Sequence, residues 1–218
     1  MVIDFVSDIA CPWCAVGLNA LERALQTLGP DFQVDLRFQP FELNPDMAAE
    51  GADTVTYLRD KYGLTQAQVA QNQMTLRQRG AAVGFEFGVR ERVWNTLDGH
   101  RLLYWAGVQG PPGAQRALKH ALLGAYHTQG LNPSDPQVLE ALAHECGLNA
   151  QRAREVIHEG EFHDEVRQAQ AFWQQAGIRS VPSVVVNRRH LIQGGQPTPV
   201  FVQALQQIAA EGDGATQH

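Results

Sequence analysis

Cysteine is scarce, with three residues in a chain of 218. So few exclude a disulfide-stapled scaffold, in which cysteines are dense. A basic excess is missing too. Lys and Arg number 17 against 23 Asp and Glu, a formal net charge of -6. That balance leaves no electrostatic footprint for nucleic acid; Arg188-Arg189 is the one adjacent basic pair. No apolar run approaches the roughly 18–20 residues of a membrane-spanning helix, so no membrane partner is expected. The opening MVIDFVSDIA has no basic leader, long apolar stretch or small-residue cleavage site, which argues against a signal peptide and for a cytosolic protein. Internal repeats and low-complexity segments are absent. Charged residues at 18% and hydrophobic ones at 44% argue against disorder and supply a sizeable core.

What is present falls into three blocks. Val2–Val6 is a short β-favouring run, and residues 15–28 carry Val16, Leu18, Leu21, Leu25 and Leu28 at near-helical spacing before Gly29-Pro30 stops them. Phe32–Phe38 alternates Phe32, Val34, Leu36 and Phe38 with polar residues, a period-two strand. The start therefore reads β–α–β, with parallel strands joined by a right-handed crossover. Helical patterns then dominate: 54–62, 66–82, 95–108, 113–128 and 136–146, with a brief extended piece at 83–89. Further helices are expected at 150–158 and 161–176. β character returns in the valine run at 183–187, with a turn at Arg188-Arg189 and a partner strand at 190–193. A closing helix over 199–210 and a frayed tail over 211–218 complete the reading. The two β-bearing ends complete one mixed four-stranded sheet only if the helical block is an insertion. The expected fold class is α/β, with residues 1–44 and 150–218 as one discontinuous domain and 45–149 as a large all-helical insertion domain.

Two of the three cysteines stand three positions apart, as Cys11-Pro12-Trp13-Cys14. The spacing admits a disulfide, half a metal site, or two small hydrophobes at a helix start. A permanent bond would close too short a loop to stabilise much. A metal site needs three or four ligands, yet there is no second CxxC, and His144/Cys146 and His158/His163 lack ligand spacing; no metal is expected. Pro12 suits the first helical turn because its missing N–H would be unbonded there anyway. Cys11 then sits at the helix N-terminus, where free N–H groups and the dipole favour a thiolate. A thiolate attacks disulfides, and Cys14 can resolve the mixed disulfide by attacking Cys11.

A second feature is RSVPSVVV at 179–186. Proline immediately before a buried strand cannot donate to the sheet. A cis Val181–Pro182 bond at the strand's start would accommodate it and leave the Val181 backbone free to pair with an extended substrate passing Cys11.

These residues resemble the DsbA-like branch of the thioredoxin superfamily, and within it the FrnE subfamily. The likeness rests on CPWC after a first strand, the helical insertion, and Val181-Pro182-Ser183 before a valine-rich strand. It extends to FQPFELNP at 38–45, NTLDGHRLLYWA at 95–106 and GIRSVPSVVVNRRHLIQGGQP at 177–197. The resemblance implies a thioredoxin-like fold and a thiol–disulfide oxidoreductase or isomerase with no dissociable cofactor. Cys11 and Cys14 would be catalytic, and the partners protein or peptide thiols and disulfides, with glutathione as a further candidate. The alternative is a glutathione-dependent isomerase or kappa-like transferase related to 2-hydroxychromene-2-carboxylate isomerase. Those proteins usually carry serine where this chain has Cys11. The expected substrate-binding residues are Pro12, Trp13, Val181, Pro182, His100 and Asn95. For His100 and Asn95 the groove wall above Cys11 competes with a structural role at the start of a core helix. Trp13 reads equally as a substrate contact or as packing against the insertion. Asp8 reads as a turn residue, although a buried carboxylate there could accept a thiol proton. Cys146 reads as a spectator thiol.

Overall fold

The computed structural model describes residues 1–214. Strand β1 (Val2–Ser7) leads through helix α1 (Pro12–Leu28) to strand β2 (Asp35–Pro40), which pairs parallel with β1. Near the other end, β5 (Ser183–Val186) pairs antiparallel with β1 and with β6 (His190–Gln193), before α9 (Thr198–Gly214) closes the fold. The sheet order is β2-β1-β5-β6. This is the expected thioredoxin-like arrangement, with β1 central.

Both faces of the sheet are covered, which explains why β5 reads as a continuous valine run and not as an alternation. Ile3, Phe5, Val184 and Val186 face α1 and α9, where they meet Leu18, Leu21, Phe201 and Leu205. Val6 and Val185 face the opposite side, against Phe41, Ile178 and Trp173 of α8 (His163–Gln175). β2 runs over 35–40 and not over the expected 32–38, because its register is set by β1: Val2 pairs with Asp35 and Ser7 with Pro40. The hairpin turn falls on Asn187 and Arg188, both at positive φ, one residue earlier than expected. There Asn187 also accepts a hydrogen bond from the Val2 amide at 2.9 Å.

The inserted helices are α2 (Thr54–Tyr62), α3 (Gln66–Val83), α4 (Leu97–Gln109), α5 (Ala114–His127), α6 (Pro136–Glu145) and α7 (Ala150–His158). Their starts follow local chemistry: Thr65 and Gln68 form a capping box, Asp135 caps α6 ahead of Pro136, and Asn149 caps α7. The insertion is helical save for a two-residue pairing of β3 (Ala52–Asp53) with β4 (Arg92–Val93). The extended piece expected at 83–89 forms no strand; Val83 and Phe85 bury in the sheet's core instead. The expected domain boundary at 149/150 cuts through helical packing, since Ala153, Val156 and Ile157 of α7 lie in one core with Leu102, Leu118, Leu122 and Leu139. The tail expected from 211 begins inside α9, and its last four positions lie outside the described residues. Among the described residues no helix is long and apolar enough to cross a membrane.

Two cores meet at one short turn. Ile9 and Ala10 belong to the helical core, while Cys11 and Cys14 belong to the sheet core. A glycine allows α1 to close on the far side of that seam. A Cβ on Gly17 would lie 3.0 Å from Pro182 Cγ and 3.3 Å from Gly195 Cα, tighter than ordinary contact. Gly17→Val is therefore expected to destabilise the protein by about 1–3 kcal/mol through overpacking, read as a lower urea midpoint. Displacement of Pro182 should also slow the reactions of Cys11.

Candidate active site

Cys11 is the N-cap of α1, with extended backbone at φ -85° and ψ 112°, and Pro12 occupies the first helical turn. The Cys14 amide donates to the Cys11 carbonyl at 3.0 Å, so one tight turn sets the two cysteines together. Cys11 is 5% exposed and Cys14 fully buried. Of the two, Cys11 is the less completely buried. It points at the Val181 carbonyl, 3.6 Å away, and the Val181–Pro182 peptide is cis.

The two thiols are driven apart in acidity. Cys11 is lowered from an ordinary thiol, chiefly by the hydrogen bond that the Cys14 thiol donates to its sulfur. Burial opposes this, and so does the Asp8 charge; the amides of Cys14 and Trp13 assist. Neither amide closes a full capping bond to the side chain. The leading cause is thus the neighbouring thiol, where the sequence pointed to the helix terminus. Cys14 is raised well above the usual value, first by burial and then by its bond to Cys11 and the Cys11 charge. Lys119 of α5 works the other way, its cation favouring a Cys14 thiolate. This lysine is 1% exposed, and burial lowers its own pKa against the pull of Cys14, Asp8 and Cys11. The arrangement offers one ready nucleophile and one held in reserve.

The turn before Cys11 is gripped from the insertion. The Asp8 carboxylate, 1% exposed, accepts from the Ala10 amide (3.0 Å), the Leu43 amide (2.7 Å) and the Thr96 hydroxyl (2.8 Å). His100 Nε2 lies 3.4 Å from the same carboxylate. Burial raises the Asp8 pKa, but the His100 hydrogen bond and charge and the two amides outweigh it, and the net shift is downward. Every carbonyl of the turn is also satisfied: Asp8 by the Cys11 amide, Ile9 by His127 at 2.8 Å, and Ala10 by Arg90 at 3.0 Å. His127 is buried and neutral, its pKa lowered to about 3 by burial and the Arg90 charge, so Nε2–H donates to Ile9.

The expected site residues divide. Pro12, Trp13 and Val181 are half-buried, Pro182 is buried, and Val181 and Cys11 are in contact. His100 is not on the groove wall. It is 2% exposed and holds Asp8 from behind. Asn95 is also engaged elsewhere: it accepts from the Leu97 amide at 2.8 Å to start α4, and donates to the Met47 carbonyl at 3.1 Å. Arg101 caps the end of α7 through the carbonyls of Val156 and Ile157. Cys146 packs against the helical core, its pKa raised by burial and Glu145.

Sequence reasoning missed Lys119, His127, Arg90, Tyr62 and Arg79. Tyr62 of α2 is 51% exposed and close enough to Cys11 to feel its charge. Arg79 of α3 stacks over the Trp13 ring at 5.7 Å. Lys119 had a readable signal, because it shares the apolar stripe of α5 with Leu122 and Leu123 at helical spacing.

Comparison with known proteins agrees with the fold. A probable DsbA oxidoreductase from Streptomyces coelicolor is similar over 97% of this chain and 91% of its own, at 34% identity and a TM-score of 0.89. The fold is shared with 2-hydroxychromene-2-carboxylate isomerase, with all of both chains covered, at 13% identity and a TM-score of 0.73. It is shared as well with the cytosolic disulfide reductase DsbM from Pseudomonas aeruginosa, solved with GSH, at 16% identity and a TM-score of 0.64, covering 96% of this chain and all of that one. The sequence pattern of the DSBA-like thioredoxin domain matches residues 2–206, and the chain belongs to that family of oxidoreductases.

Proposed function

We propose that the protein is a thiol–disulfide oxidoreductase acting on protein or peptide disulfides, with Cys11 as nucleophile and Cys14 as resolving thiol. The observation that carries this reading is the Cys11 sulfur, facing the Val181 carbonyl and lowered in pKa by the Cys14 thiol. The Cys11 thiolate attacks a substrate disulfide, forming a mixed disulfide and expelling one substrate thiolate. Cys14 then loses its proton and attacks the Cys11 sulfur, which closes the internal bond and releases the second substrate thiol. The pair is oxidised and the substrate disulfide reduced; in the opposite direction the same steps oxidise a dithiol. Val181, with Pro182 fixing its carbonyl, and half-buried Trp13 and Pro12 form the surface for the incoming chain.

A cytosolic setting and the FrnE-like motifs favour reductase or isomerase work, since a cytosolic glutathione poise keeps such pairs reduced. Glutathione itself is included as a small thiol partner. Cys14 beside Cys11 weighs against the transferase-like alternative, which needs no resolving thiol.

Three tests follow from this chemistry. Cys14→Ala is expected to accumulate mixed disulfides with a peptide substrate, seen by non-reducing mass spectrometry, whereas Cys11→Ala accumulates none; the reverse pattern would assign the roles the other way. Alkylation of Cys11 by iodoacetamide should show an apparent pKa below the ordinary thiol value of about 8.5. Its rate should be level above that pKa and fall about tenfold per pH unit below it, while Cys14→Ala moves the midpoint up by removing the thiol donor. Lys119→Met should raise the Cys14 pKa further and slow release of the mixed disulfide at neutral pH, with the deficit shrinking as pH rises. A deficit independent of pH would mean that Lys119 only packs.

A further inference from the structure

One side of α1, the end of α3 and the loop into α9 enclose an open groove of about 700 Å³. Val16, Arg23, Arg79, Gln196 and Thr198 are among its walls, and no acidic side chain lines it. On α1 the groove begins at Val16, five positions beyond Cys11. Arg79 forms the junction: its guanidinium covers the Trp13 ring at 5.7 Å and donates to the Gly195 carbonyl at 2.9 Å. Arg23 lies further along and donates to the Ala82 carbonyl at 3.0 Å.

Each arginine could be no more than a staple for a backbone carbonyl. That role uses one N–H group of each, and a guanidinium has five. Among the described residues neither is ion-paired with a carboxylate, although the chain carries an acidic excess of 23 to 17. Two cations therefore border an open channel whose near end adjoins Trp13, two positions from Cys11, with hydrogen-bonding capacity unspent. Planar, forked donors of this kind suit carboxylates.

We propose that this groove docks an acidic segment of a polypeptide substrate flanking the cysteine that Cys11 attacks. The inference rests on the thiol–disulfide reading and names the substrate class for it. Arg23 lies twelve positions beyond Cys11 on one helix, about 18 Å at ~1.5 Å per residue. An extended peptide covers that distance in about five or six residues. Trp13 and Arg79 stand near the start of the path. The favoured carboxylates thus lie between roughly two and six residues from the reacting cysteine.

The test uses the full-length reduced protein and three synthetic peptides, each a symmetrical disulfide. They carry Glu, Ser or Lys at the positions three to six residues from a single cysteine. Single-turnover rates are followed by loss of protein thiols at low and high salt. Wild type is expected to react about tenfold faster with the Glu peptide than with the Ser peptide, with Lys slowest, and salt should flatten the series. Arg23→Glu should abolish or invert the order, and Arg23→Gln should fall between. Equal wild-type rates for the three peptides, or an order unchanged in Arg23→Glu, overturns the proposal. So does an equal loss with glutathione disulfide in Arg23→Glu, since its carboxylates are too near the sulfur to reach that side chain. If no peptide oxidises the pair at all, the thiol–disulfide reading fails and the groove assignment with it.

Discussion

The reactive turn depends on one buried carboxylate. Asp8 is almost wholly removed from water, a state that costs several kcal/mol for an ion unless its oxygens are bonded. It stays ionised because two amides, a hydroxyl and His100 converge on it. Those partners come from three places: the turn itself, the loop after β2, and the start of α4. Satisfying one charge therefore fixes three segments relative to Cys11. The same requirement explains why Thr96 and His100, both buried, sit where they do.

The thiol pair shows a similar economy. Burial makes both sulfurs poor anions, and the fold relieves only one. The Cys14 proton is shared toward Cys11, so the hydrogen bond that lowers one thiol raises the other. Lys119 supplies a cation behind the second sulfur without opening it to solvent. Donor and acceptor in that bond set the two thiols apart in acidity, and Cys11, the one in contact with Val181, is the lower.

Local chemistry made much of this legible in the sequence. Periodicity located α1 and the inserted helices, and the valine run marked β5 as covered on both faces. CPWC and Val181-Pro182 carry their chemistry within a few residues, and the structure brings the two together. What escaped depends on distance along the chain. Arg90 and His127 reach the turn across separations of 80 and 118 residues, and nothing in their own neighbourhoods reveals that they bond its carbonyls. His100 and Asn95 were visible as polar residues at a core helix, but which side they served was set by Asp8 and the loop at Met47. The start of β2 and the allegiance of α7 were likewise tertiary decisions, made by the length of β1 and by the apolar face of α4.

That the insertion supplies His127, Arg90, Thr96 and Lys119, from its helices and its loops, bears on modularity. The sheet half has every strand of a self-contained unit, yet the turn before Cys11 is held by groups from the other lobe. Exchanging the insertion for a different one would replace the turn's supports and the cation behind Cys14 together. A change in the inserted helices or their loops therefore reaches the Cys11–Cys14 turn even where no strand of the sheet is altered.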